Sequence, residues 1–205
     1  MLVGGLAAAA VFLLHPFNIG RTAATAPTSS VARSPNPGAQ SAAPGAQSAS
    51  PAATLPAEQQ AANALAALLT QSVADRSAIT SAVSDVNQCG PGLSQDAQTL
   101  HKAATSRQNL LSQLASLPDR AALPAPMLED LTSAWQASGS ADQDLAQWAQ
   151  DENSGGCLPN DHGNPDFQAA TAPDDQATTA KKEFVSQWNP IASGYELTGY
   201  RWNQL

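Results

Sequence analysis

The sequence predicts an all-α domain, an up-down-up-down four-helix bundle with one disulfide, preceded by a membrane segment and a disordered Ala/Pro/Ser stalk. Beyond residue 56, alanine, glutamine, serine and leucine dominate while β-branched and aromatic residues are sparse, a composition that favours helix over sheet. Apolar residues there recur at the three-and-four spacing of a helix face over four stretches. The chain has 2 cysteines, and each falls at the end of one of those stretches. The expected division is residues 1–20 as membrane anchor or signal segment, 21–56 as disordered linker, and 57–205 as the bundle. A domain of about 150 residues is large enough to bury one core.

Residues 2–14 form an unbroken run of small and apolar residues, which Pro16, Phe17 and Ile19 extend before Arg21 ends it. The run itself suits the core of a signal peptide, and its extension is just long enough to span a bilayer of about 30 Å. Ala24-Thr25-Ala26 offers a small-x-small cleavage site, but Pro27 follows directly and suits the peptidase poorly, so the segment reads as an uncleaved anchor. No Lys or Arg precedes the run, whereas Arg21 and Arg33 follow it. By the positive-inside rule that arrangement holds the carboxy-terminal part in the cytoplasm. An outside domain therefore requires either an inverted topology or a basic cytoplasmic portion ahead of residue 1, and the second is the expectation adopted.

Residues 22–56 are almost wholly Ala, Pro, Ser, Thr, Gly and Gln, and Pro37-Gly38-Ala39-Gln40-Ser41 recurs as Pro44-Gly45-Ala46-Gln47-Ser48. Such a segment buries too little apolar surface to fold. Extended at about 3.1 Å per residue, it reaches on the order of 100 Å. That length suits a tether through a cell envelope better than a cytosolic linker.

The first helix opens near Pro56, with Glu58 in the first turn, where its charge meets the positive end of the helix dipole. Its seam runs through Leu65, Leu68, Leu69, Val73, Ile79, Val83 and Val86, and Cys89-Gly90-Pro91 ends it, with Gly90 expected in the left-handed cap position. The second begins after Gly92, carries Leu100, Ala104, Leu111, Leu114 and Leu117, and stops at Pro118-Asp119. Pro124 and Pro126 lead into a third, with Leu128, Leu131, Trp135, Leu145 and Trp148 on one face and Gly155-Gly156 at its end. Gly139 inside it is a weak point of about 1 kcal/mol. Residues 160–171 read as a polar loop, and Thr171 with Asp174 fits a capping pattern for the fourth helix, which carries Ala177, Phe184, Trp188, Ile191 and Tyr195. Pro190 is expected to kink or break that helix, because proline has no amide hydrogen and clashes with the preceding turn.

In this topology the ends of the first and third helices share one pole, so Cys89 and Cys157 can meet. With no CxxC or His-rich spacing they read as a structural disulfide, and closing a loop of about 67 residues favours the fold by roughly 4 kcal/mol in the chain-entropy model. A disulfide also argues for an oxidising compartment.

The net charge of -8 speaks against nucleic acid and against an anionic membrane surface as partners. His15, His101 and His162 belong to no metal or triad pattern, and the stretch from Asp161 to Asp166 lacks the spacing and glutamate of a calcium loop. No nucleophile-base pair is present, so neither an enzyme nor a metal or cofactor is expected. Asp85, Asp96, Asp151, Glu152, Asp161, Asp166, Asp174 and Asp175 all map to the cysteine pole. Helix amino-termini explain Asp96, Asp174 and Asp175; Asp151 and Glu152 sit at a carboxy-terminus that disfavours them. The acidic pole is either a solvated face or a docking surface for a cationic protein or cell-wall partner.

One misfit remains, because charged residues interrupt the apolar seams at Arg76, Arg107 and Asp142, each three residues before an apolar seam residue. At 1.5 Å per residue these lie about 20, 21 and 18 Å below the cysteine pole, and Asn189 falls at about 22 Å by the same arithmetic. Arg76, Arg107, Asp142 and Asn189 are therefore expected to form a buried polar layer or the floor of a small anion-binding pocket, unless the arginines snorkel to the surface.

The apolar anchor, the stalk and a helical domain closing on Trp188-Asn189-Pro190-Ile191 and Tyr200-Arg201-Trp202-Asn203-Gln204-Leu205 resemble hypothetical secreted or membrane-anchored proteins of high-GC Gram-positive bacteria. In some of these a similar domain lies beyond the membrane span of a serine/threonine kinase. The resemblance implies no known activity, and with no kinase motif present it implies no kinase here. Together these readings point to a monomeric, extracytoplasmic, membrane-tethered helical interaction or sensing module, with a structural envelope spacer as the alternative.

Overall fold

The computed structural model describes residues 55–205, so the expected anchor and nearly all of the expected stalk lie outside the described residues. Four long helices, α1 (Ala57–Asn87), α2 (Leu93–Ala115), α3 (Ala125–Gly155) and α5 (Thr171–Gly194), are joined by short connections and the five-residue α4 (Pro165–Ala169). There is no strand among the described residues, and no helix there is long and apolar enough to cross a membrane. α2 packs most extensively on α3, α5 packs on α3, and α1 packs on α2; α1 and α5 approach each other less closely.

The expected helix limits hold for α1, α2 and α3, and the chemistry of the ends differs in one respect. Cys89 itself takes the left-handed conformation, with φ 51°, and not Gly90. The Gly90 amide then donates to the Asp85 carbonyl at 2.8 Å and the Cys89 amide to Val86 at 3.0 Å, the double closure of a Schellman motif. Gly90 is needed for closeness instead of for φ, since a Cβ there would stand 3.2 Å from the Asp85 oxygen.

The region 160–171 is not wholly loop. Asn164 accepts hydrogen bonds from the amides of Asp166 and Phe167 and so caps α4, with Pro165 in its first turn, where the missing amide hydrogen costs nothing. α5 follows almost without interruption, capped at Ala170 with no side-chain hydrogen bond, so the expected Thr171 cap does not form. Pro190 is inside α5, which continues to Gly194 without breaking. Beyond it the chain folds back over the bundle. Trp188 Nε1 donates to the Thr198 carbonyl at 3.0 Å, and Leu205 is fully buried in the core.

The core is in two parts. One cluster takes Leu65 and Leu69 from early α1, Leu114 from late α2, Leu128 and Trp135 from early α3, and Phe184, Trp188 and Leu205. The other takes Ile79 and Val86 from late α1, Leu100 from early α2, Leu145 and Trp148 from late α3, and Phe167. Each fully buried aromatic or branched side chain contributes about 1.5–3 kcal/mol. Phe167 of α4 meets Trp148 edge-on with centroids 5.0 Å apart, and so closes the second cluster at the cysteine end.

Candidate functional site

Between the two apolar clusters the helix seams carry polar groups. The pattern on α1, with Leu65, Leu69, Ser72, Arg76 and Ile79 at alternating spacings of four and three, places Ser72 and Arg76 on the core-facing stripe. The same alternation brings inward Arg107 of α2, Ser138 and Asp142 of α3, and Lys181 of α5. Ser72, Arg107, Ser138, Asp142 and Lys181 are 0, 1, 5, 4 and 5% exposed, which means that three formally charged groups are held out of water. Such burial is costly unless the groups are paired.

The pairing is incomplete. Arg107 Nη1 donates to Ser72 Oγ at 2.5 Å, and Trp135 Nε1 donates to the same oxygen at 3.2 Å. Arg107 Nε stands 3.6 Å from Asp142 Oδ2, an ion pair too long for a hydrogen bond. Arg107 Nε, Asp142 Oδ2 and Ser138 Oγ are buried without hydrogen-bond partners.

Electrostatics follow from this burial. Loss of solvation pushes the Asp142 carboxyl up to about 6 against the attraction of Arg107, Lys181 and Arg76, with Asp174 reinforcing the rise. Loss of solvation, aided by Arg76 and Arg107, brings the Lys181 ammonium down to about 7, with Asp174 and Asp142 opposing. Arg107 is lowered by the same desolvation. Chemically, the layer can fix the axial register of the helices or change charge near neutral pH.

Of the four residues expected in this layer, the structure brings Arg107 and Asp142 together. Arg76 is half-buried at its edge. Asn189 is not part of it: its side chain donates to the Tyr200 carbonyl and accepts from the Tyr200 amide, both at 2.9 Å, clasping the closing segment to α5. Rise along a helix gives height but not direction. Asn189 follows the seam residue Trp188 by one position and so turns away from the core. Ser72, Ser138 and Lys181 are the members the sequence reading missed, although Lys181 lies between Ala177 and Phe184 at the spacing of the seam. Gly139 also belongs here. A Cβ at that position would stand 3.3 Å from Arg107 Cβ, so the glycine lets α2 and α3 close on each other beside the ion pair.

At the other end of the long helices, Cys89 and Cys157 form the expected disulfide, with Cα atoms 5.6 Å apart and a sequence separation of 68. The two acids left unexplained by helix dipoles are structural. Asp151 accepts hydrogen bonds from Gln147 Nε2 and Asn164 Nδ2, and the buried Glu152 accepts one from the Leu158 amide at 3.2 Å. His162 stacks on Phe167 with centroids 4.6 Å apart. Among the described residues no group of three or more His, Cys, Asp or Glu is placed to hold a metal ion. A groove of about 470 Å³ between α2 and α3 is lined by exposed amides, including Gln98, Gln143 and Gln147, together with His101 and Lys102, over Ala146.

No family model matches this chain, nor does any curated protein or solved structure.

Proposed function

We propose that the helical domain is a non-enzymatic interaction or sensing module held outside the cell membrane by the segment 1–20 and the tether 21–56. The observation that carries this reading is the Cys89–Cys157 disulfide, which joins the ends of α1 and α3 in a chain with no other cysteine. Structural disulfides persist in oxidising compartments and are rare in a reducing cytosol. The apolar run and the Pro-rich stretch ahead of the domain agree with that placement. An up-down-up-down order of the four long helices agrees with the cysteine pairing and puts the acidic residues near Cys89 and Cys157 at the pole remote from the tether. That pole is the surface proposed for a protein or cell-wall partner.

In-cell cross-linking from the cysteine pole tests the reading. A photo-reactive residue at exposed Asp175 should trap a reproducible envelope component, whereas one at exposed Gln113, near the end of α2, should not. Recovery of no specific adduct from either position would favour a passive envelope spacer.

A further inference from the structure

The groove of about 470 Å³ between α2 and α3 lies outside the polar layer, and its volume is that of an ordinary small-ligand cleft, about 300–1,000 Å³. α2 begins beside Cys89 and α3 ends at Cys157, so the disulfide sets the two helices antiparallel. The lining residues recur at three-and-four spacing from Ser94 to Lys102 on α2 and from Gln143 to Asn153 on α3, one stripe on each helix. At 1.5 Å per residue these stripes are about 12 and 15 Å long. The floor is made of alanines, Ala146 at 8% exposure and the half-buried Ala97, and the walls of side-chain amides.

Amides on a groove wall offer donors and acceptors alike. Elsewhere in the domain glutamines use that capacity to join helices, Gln71 donating to Ser106 and Gln187 to Asp130. In the groove Gln147 donates along its own helix to Asp151 at 3.1 Å, which keeps its carbonyl oxygen as an acceptor. The charge is one-sided. Among the described residues that line the groove none is acidic, and Lys102 stands at one end of the α2 stripe, although acids outnumber Lys and Arg by 17 to 9 in the chain.

We infer that the groove binds a short extended peptide of about four small residues that ends in a free carboxylate at Lys102. Such a peptide presents backbone N–H and C=O groups along both edges, and amide walls match them whatever its sequence. At about 3.3 Å per residue, four residues fill the length of the stripes. Alternate side chains point at the floor, where Ala97 and Ala146 leave room for small ones. A glycan would also suit the amides, but the apolar face of a sugar ring calls for an aromatic platform, and no aromatic residue is among the described residues that line the groove. The inference is independent of the partner proposed for the cysteine pole and of the side of the membrane the domain occupies.

The test titrates the isotope-labelled full chain, in detergent micelles, with tetra-alanine as probe. The side-chain amide NMR signals of Gln98, Gln143 and Gln147 should shift saturably, with a Kd on the order of 1 mM or tighter, while that of Gln113 near the other end of α2 stays in place. The carboxy-terminal amide of the same peptide should bind about fivefold or more weakly. Lys102→Met should bring the free acid down to the level of the amide, and Ala97→Leu, which fills the floor, should weaken both by at least about tenfold. Shifts that do not saturate, equal binding of acid and amide by the wild type, or binding of a chitin tetrasaccharide in place of the peptide would each overturn the proposal. If Ala97→Leu does not fold, the acid and amide peptides compared on wild type and on Lys102→Met decide alone, since Lys102 is exposed and its replacement leaves the core untouched.

Discussion

Arg107 and Asp142 face each other across α2 and α3 with Nε 3.6 Å from Oδ2, their side chains 1 and 6% exposed. Neither atom has a hydrogen bond, so what this contact supplies is charge compensation in the interior and little directional bonding. Removing one partner leaves the other buried alone, a situation that typically costs about 3–5 kcal/mol. Asp142→Ala and Arg107→Met should each destabilise the domain by that order. The double variant should cost about 1–3 kcal/mol less than the sum of the two, measured by urea unfolding. A simple sum would show that the two groups do not act together.

The layer also sets a pH profile with an uncommon sign. Asp142 is raised to about 6 from 3.8, so the folded state binds a proton that the unfolded chain has already released, and stability increases as pH falls through that window. Lys181 is lowered to about 7 from 10.5, so the folded state releases a proton that the unfolded chain still holds, and stability increases as pH rises above about 7. The contribution of the layer should therefore be smallest between about 6 and 7. Compared with wild type, Asp142→Asn should lose the gain on the acid side and Lys181→Met the gain on the alkaline side. Chemical denaturation across pH checks both, and variants whose difference from wild type does not change with pH would remove the assignment.

The closing segment gives a separate prediction. Asn189 exchanges two hydrogen bonds of 2.9 Å with the Tyr200 backbone, and Gly199 leaves room for it, since a Cβ there would stand 3.0 Å from Asn189 Oδ1. Asn189→Ala should cost about 1–3 kcal/mol. It should also speed hydrogen exchange at the Tyr200 amide far more than at amides in the middle of α3. Equal protection in the variant would mean that burial of Leu205, and not the clasp, holds the segment.

Much of this architecture was legible because long seams repeat. Leu65, Leu69, Ile79 and Val86 state a helix and its buried face without reference to anything else, and Arg107 and Asp142 stand out as misfits on such faces. The pairing of Cys89 with Cys157 followed from placing both at one end of the bundle. Where local chemistry decides, the sequence misled. The left-handed residue closing α1 is Cys89, because the disulfide and two closing hydrogen bonds hold a conformation that glycine would adopt more freely. The Thr171 capping pattern is idle because α4 runs almost directly into α5, and Asn164 caps earlier. Lys181 escaped notice because a lysine between apolar seam positions ordinarily reaches to solvent. Its burial depends on α3 and the layer opposite, which no local pattern records.

The proposed placement of the domain outside the membrane is tested most directly by adding protease to intact protoplasts that produce the full chain. Cleavage should concentrate between residues 22 and 56, whose small and polar composition suits a linker, and should release a helical fragment that retains the Cys89–Cys157 bond and no alkylatable thiol. Protection of that stretch until the membrane is lysed would put the domain in the cytoplasm and contradict the proposed function.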